Sequence, residues 1–216
     1  MAAEPRRIGL YGGSFDPVHA AHRALADTAL QQLALDELRW IPTGQPWQKT
    51  RRLAPAEHRA AMVRLAIGDN PAFVLEPCEV ERPGPSYTLD TVTTLQQRES
   101  RPAQWFLVIG QDQLHNFCTW HGWTELLQRV TLAVAGRAGV PVQAPTELLN
   151  TGHRIVALDM PSMAVSSTEL RARLAAGEPA VSLAPRMVAP DVARYIDRHG
   201  LYRPDHPHSG FSLPQS

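Results

Sequence analysis

Short apolar runs alternate with longer amphipathic segments almost from one end of the chain to the other. Residues 7–11 read as a strand, and residues 18–33 as a helix with Leu25, Ala29 and Leu33 on one face. A strand over 38–41 is closed by Pro42, a helix over 55–67 places Met62, Leu65 and Ala66 at helical spacing, and 73–75 is a third strand. A polar excursion over 79–85 leads into a helix over 86–97. Residues 105–109 then form the most apolar strand of the chain. Short helical stretches follow at 113–117 and 124–127, strands at 132–135 and 155–158, and helices at 167–176 and 190–198.

This strand–helix alternation predicts an α/β fold: a doubly wound, mostly parallel sheet with right-handed crossovers. No linker, repeat or low-complexity tract divides the chain, so residues 1–203 are expected to form one domain. The tail, 204–216, rich in Pro, Ser and His, reads as disordered. Ligands of such sheets sit beyond the carboxyl ends of the strands, where strand order reverses. Three strand ends carry polar or glycine-rich turns: Gly12 to His22 after the first strand, Gly110-Gln111-Asp112 after the 105–109 strand, and Ser166 to Arg171 after the last.

Composition narrows the class. Lys+Arg and Asp+Glu are both 21, which argues against a nucleic-acid coat or an acidic-membrane binder, since both need a basic face. A hydrophobic share of 44% with 19% charged residues suits a globular domain. No run approaches the roughly 18 apolar residues of a membrane span, and the amino-terminal stretch lacks the longer apolar segment of a secretory signal. Cys78 and Cys118 have no C-x-x-C spacing, so neither a disulfide framework nor a zinc site is indicated. A cytoplasmic protein is the expectation.

The first turn carries the most chemistry. Gly12 and Gly13 let backbone N–H groups approach a phosphate with no Cβ in the way. Asp16-Pro17 predicts a helix N-cap with proline at the first helical position. His19 and His22 then fall one turn apart at the positive end of that helix, where imidazole donors can bind phosphate oxygens. The bland alternative is an amphipathic helix with two surface histidines; a zinc reading lacks a third ligand. Ser166 to Glu169 fits an S-x-x-E capping box, which either only starts a helix or also directs amides, hydroxyls and Arg171 at a triphosphate. The segment from Gly44 to Thr50 lacks the glycine before Lys49 that a P-loop needs, and no G-x-G-x-x-G follows a strand.

GGSFDPVHAAH and SSTELR resemble the GGxFDPxHxGH and ISSTxIR motifs of the nucleotidyltransferase superfamily. Within it, Pro85-Ser86-Tyr87-Thr88, Ile109 to Asp112, Thr119-Trp120 and the closing His199 to Tyr202 are similar to the bacterial nicotinate-nucleotide adenylyltransferase family. The resemblance runs from Ile8 to Tyr202. It implies a Rossmann-like fold and a reaction of ATP with nicotinate mononucleotide that gives deamido-NAD and pyrophosphate, with Mg²⁺ carried by the phosphates.

By that resemblance His19 and His22 contact the ATP phosphates, together with the turn Gly12, Gly13, Ser14 and Phe15. Ser166, Ser167, Thr168 and Arg171 hold the β- and γ-phosphates. Gly110 and Asp112 meet the adenosine ribose, while Thr88, Trp120 and the backbone near His121 hold the pyridine ring. Lys49 ends a loop that in relatives approaches the reacting phosphates; it is the one lysine of the chain. Ala21 departs from the motif glycine, and His121 and Trp123 stand where relatives often carry Tyr. Nicotinamide-mononucleotide or pantetheine-phosphate adenylyl transfer on the same scaffold, a nucleotide-binding protein without turnover, and a homo-oligomer all stay open at this level.

Overall fold

The computed structural model describes residues 4–45, 53–136 and 141–204. Lys49 and the tail beyond Pro204 lie outside them. In chain order the elements begin β1 (Arg6–Gly13), α1 (Ala20–Gln32), β2 (Glu37–Pro42), α2 (Ala56–Ile67), β3 (Phe73–Leu75), α3 (Cys78–Glu81), α4 (Thr88–Arg98) and β4 (Ala103–Gly110). They continue with α5 (Gln111–His115), α6 (Trp123–Arg129), β5 (Thr131–Ala135), α7 (Thr146–Leu149), β6 (Ile155–Leu158), α8 (Ser167–Ala175) and α9 (Pro190–Arg198).

The strands form one six-stranded sheet in the order β3-β2-β1-β4-β5-β6, with every pair parallel. The strands are short and apolar because both faces are covered, which parallel sheets require. Period-two alternation divides β4 between two cores: Phe106 and Val108 point to one face, Trp105, Leu107 and Ile109 to the other. The first face is covered by α1, α2, α8 and α9 through residues such as Leu25, Met62, Leu170 and Ile196. The second is covered by α4, α5, α6 and α7 through Leu95, Leu114, Leu126 and Leu148. Each such fully buried side chain contributes about 1.5–3 kcal/mol of transfer free energy. Among the described residues no helix is long and apolar enough to cross a membrane.

Two sequence expectations are corrected. The first helix begins at Ala20, not near Val18, and Asp16 is not its cap. Asp16 is fully buried, and its carboxylate accepts from the Ala54 N–H at 3.2 Å and the Tyr202 hydroxyl at 2.8 Å, so it is committed away from the helix. His19, in extended backbone, is the N-cap instead, and the first helical N–H, that of Ala20, donates to the Met187 carbonyl. The second correction lies within the polar excursion: residues 78–81 form the short helix α3, whose Glu79 is buried.

Candidate active site

Strand order reverses between β1 and β4, so the helices after them leave on opposite faces and a crevice opens at their carboxyl ends. A cavity of about 360 Å³ lies there, within the about 300–1,000 Å³ typical of small-molecule sites. One wall is the turn of Gly12, Gly13 and Ser14 with His22 behind it; Leu107 and Ile109 of β4 form the floor. The opposite wall is built by Ser86, Tyr87 and Thr88 at the start of α4, and by Trp120 and His121.

Local packing explains the first wall. A Cβ on Gly12 would meet open space, so its backbone borders the cavity. A Cβ on Gly13 would lie 2.9 Å from the Phe15 ring, so glycine there lets Phe15 fold back beneath the turn. Phe15 is buried and stands edge-on to Tyr11 and His22, with ring centroids 5.4 and 5.1 Å away. Its side chain supports the turn; only its backbone can meet a ligand.

The two histidines cap α1 together. His22, at the third helical position, accepts the His19 backbone N–H on Nδ1 at 3.1 Å, which fixes its neutral-ring proton on Nε2. The His19 ring stacks on that of His22 at 3.6 Å. Burial lowers the His19 pKa to about 4, so His19 is neutral at pH 7. Its Nδ1 is buried without a hydrogen-bond partner among the described residues.

The second motif docks on the first. Ser166 caps α8 by accepting the Glu169 N–H at 3.1 Å, as its S-x-x-E spacing predicts. One helical turn apart on α8, Ser167 donates to the Pro17 carbonyl at 3.0 Å and Arg171 Nη1 to the Asp16 carbonyl at 2.6 Å. Arg171 Nη2 donates to the Thr168 hydroxyl at 3.1 Å.

On the far wall, Trp120 packs on Phe117 with centroids 5.3 Å apart, and His121 lies 4.7 Å from the Tyr87 ring. Gly122 follows them with φ +63°, and a Cβ there would meet Leu89 at 2.4 Å, so the turn that presents Trp120 depends on glycine. Gly110 is the N-cap of α5, and Asp112 is exposed in its first turn; neither lines the cavity, which Ile109 and Gln113 border instead. The structure thus gathers Gly12, Gly13, Ser14, His22, Thr88, Trp120 and His121 around one space. His19 sits behind His22, and Ser167, Thr168 and Arg171 gather at Asp16-Pro17.

Sequence reasoning missed two buried polar groups. Arg59 is 1% exposed, and its guanidinium donates to the carbonyls of Ala54, Ser14 and Gly44 at 2.9, 2.9 and 3.1 Å. It therefore ties the turns after β1 and β2 to the entry of α2. Its signal was spacing: Arg59 lies three and four residues before Met62 and Val63, on the buried face of α2. Glu79 borders the cavity and accepts from the Thr91 hydroxyl at 2.8 Å; burial raises its pKa, against the pull of Thr91 and Arg82. A Cβ on Gly44 would lie 1.9 Å from the Glu79 carbonyl oxygen, so a glycine is needed where these two loops meet.

Residues 10–173 match the cytidylyltransferase-like family. A protein of Methylibium petroleiphilum named "probable nicotinate-nucleotide adenylyltransferase" is 60% identical over 205 residues, covering 94% of this chain and 96% of that protein. One of the same name from Bordetella petrii is 46% identical over 202 residues, covering 92% of this chain and all of that one. Among solved structures, Plasmodium falciparum nicotinic acid mononucleotide adenylyltransferase complexed with NaAD has the same fold. Its TM-score is 0.73 at 19% identity, over 91% of this chain and 97% of that one. The chain belongs to the nicotinate-nucleotide adenylyltransferase family of the cytidylyltransferase-like nucleotidyltransferases.

Proposed function

We propose that the protein transfers the adenylyl group of ATP to nicotinate mononucleotide, giving deamido-NAD and pyrophosphate in cytoplasmic NAD biosynthesis. The observation that carries this reading is the cavity at the β1–β4 switch point, which brings two kinds of wall together. Glycine amides and a histidine donor stand on one wall, and an indole with a helix-start threonine on the other. A dinucleotide product needs both halves: a place for phosphates and a flat apolar face for a pyridine ring.

A phosphate oxygen of the mononucleotide attacks the α-phosphorus of ATP in line, the bond from that phosphorus to the bridging oxygen breaks, and pyrophosphate leaves. The step needs no covalent enzyme intermediate, so catalysis is positioning plus stabilisation of charge. Gly12 and Gly13 offer backbone close to the phosphates, and His22 donates from Nε2. His19, kept neutral by burial, stacks behind and holds that ring in place. Arg171, Ser167 and Thr168 bind the outer phosphates, and Lys49, outside the described residues, is assigned to them as a further cation. Gly110 and Asp112 hold the adenosine ribose at the end of β4. Trp120 stacks on the electron-poor pyridine, flanked by Thr88 and the backbone at His121.

ATP enters as its Mg²⁺ complex. On this reading phosphate oxygens are the ion's ligands. The test is pyrophosphate release from ATP and Mg²⁺ with nicotinate mononucleotide, nicotinamide mononucleotide or phosphopantetheine as acceptor. Nicotinate mononucleotide is expected to exceed each of the others by about 10-fold or more in kcat/KM, the discrimination a few unmatched polar contacts give. A preference for another acceptor contradicts the assignment of substrate, and no release with any contradicts the reaction.

A further inference from the structure

We propose that Tyr202, near the carboxyl end of the described chain, is a positioning residue that acts through Asp16 on Arg171, and so sets how tightly the site holds a triphosphate. The inference rests on the reading of Arg171 as a phosphate-binding cation. It goes beyond that reading by giving an active role to a residue that touches no proposed ligand.

Several observations support it. The Tyr202 hydroxyl donates to Asp16 Oδ1 at 2.8 Å, across 186 residues of sequence, and the Ala54 N–H approaches the same oxygen at 3.2 Å. Asp16 itself is fully buried, so these hydrogen bonds act on it away from bulk water. Its carbonyl then receives Arg171 Nη1 at 2.6 Å, while its second carboxylate oxygen lies 3.9 Å from the same nitrogen. Tyr202 also adopts φ +68°, a left-handed conformation uncommon for a tyrosine and kept where surrounding contacts demand it. Burial and the Asp16 charge both raise the phenol pKa, so Tyr202 stays a proton donor at neutral pH.

An arginine holds phosphate well when its planar fork is fixed before the ligand arrives. Nη1 on the Asp16 carbonyl and Nη2 on Thr168 fix that plane here. Loss of the Tyr202 hydroxyl removes one of the contacts that hold the Asp16 carboxylate, and the carbonyl seat of Arg171 loosens with it.

The test is Tyr202→Phe, which keeps the ring and deletes one hydrogen bond. ATP KM and the Kd of inorganic tripolyphosphate measured by calorimetry are expected to rise about 3–10-fold, the range for one lost buried hydrogen bond. The KM of nicotinate mononucleotide is expected to change less than about twofold, and Tyr202→Phe to add less than about twofold on an Arg171→Ala background. Asp16→Asn, which keeps the volume and removes the charge, is expected to show the same ATP-side pattern. A lowered Tm with unchanged ATP KM and tripolyphosphate Kd overturns the proposal, as does an undiminished Tyr202→Phe effect in the Arg171→Ala background. If the wild-type chain binds tripolyphosphate but releases no pyrophosphate, the reaction assignment fails and the Kd comparison still decides the role of Tyr202. A wild-type chain that does neither overturns both.

Discussion

The two ends of the sheet treat charge in opposite ways. At the amino end, where β1, β2 and β4 begin, Arg6 pairs with Glu37 at 2.8 Å and with Glu99 at 3.1 Å, and Arg39 reaches Glu99 at 3.5 Å. These groups are 9–21% exposed and satisfy one another. Burial raises the Glu37 pKa, but hydrogen bonds from Arg39 and Arg6 more than offset it and leave the carboxyl below its usual range. At the carboxyl end the same three strands finish at Gly13, Pro42 and Gly110. Buried polar groups there hold backbone instead: Arg59 takes three carbonyls, and Asp16 takes an N–H. At the amino end Arg6, Arg39, Glu37 and Glu99 satisfy one another's charges. The carboxyl end commits its buried charges to loop geometry and leaves a cavity. The amino end thus serves stability, and the carboxyl end leaves room for a ligand.

Substitutions at the two ends should therefore separate stability from turnover. The largest kinetic effect is expected for His22→Ala, which removes a donor from the cavity wall: kcat/KM falls about 10²–10³-fold, as for other lost transition-state donors, while the fold survives by circular dichroism. A fall below about threefold would place the phosphates elsewhere. Lys49→Ala, outside the described residues, is expected to lower kcat/KM by about 10-fold or more, and a change under about twofold would remove it from the proposed phosphate contacts. Glu99→Gln, at the amino end, is expected to cost about 1–3 kcal/mol in denaturant unfolding and to leave kcat/KM within about twofold. A comparable kinetic loss would erase the distinction between the ends.

The smallest effect is a pH slope. The unfolded chain protonates a histidine near its ordinary pKa of 6.5, while folded His19 resists until about 4. Between those values the unfolded state binds more protons, so stability drops as pH falls through that window. His19→Gln should flatten the slope in urea midpoints from pH 6.5 to 4 by part of one proton; an unchanged slope would show that His19 titrates normally.

The sheet was legible because buried parallel strands are unbroken apolar runs. Residues 105–109 and 132–135 fall inside β4 and β5, and 73–75 coincides with β3. The glycine turn and the histidine pair were legible because they are local in sequence. What escaped is long-range. Asp16-Pro17 carries a helix-start signature, yet Asp16 is claimed by Tyr202 and Ala54, and nothing local in the sequence announces partners so distant. Arg59 was hidden because a charged residue in an amphipathic helix reads as solvent-facing until its carbonyl partners are seen. Ser167 and Arg171 read as phosphate ligands, and the structure adds that both grip the carbonyls of the first turn.

In the proposed reaction ATP and nicotinate mononucleotide meet in the β1–β4 crevice. A crystal structure of the protein with nicotinate adenine dinucleotide tests it most directly. The pyridine ring is expected against Trp120 and Thr88, with the diphosphate at Gly12, Gly13 and His22. A dinucleotide seated away from those walls would contradict it.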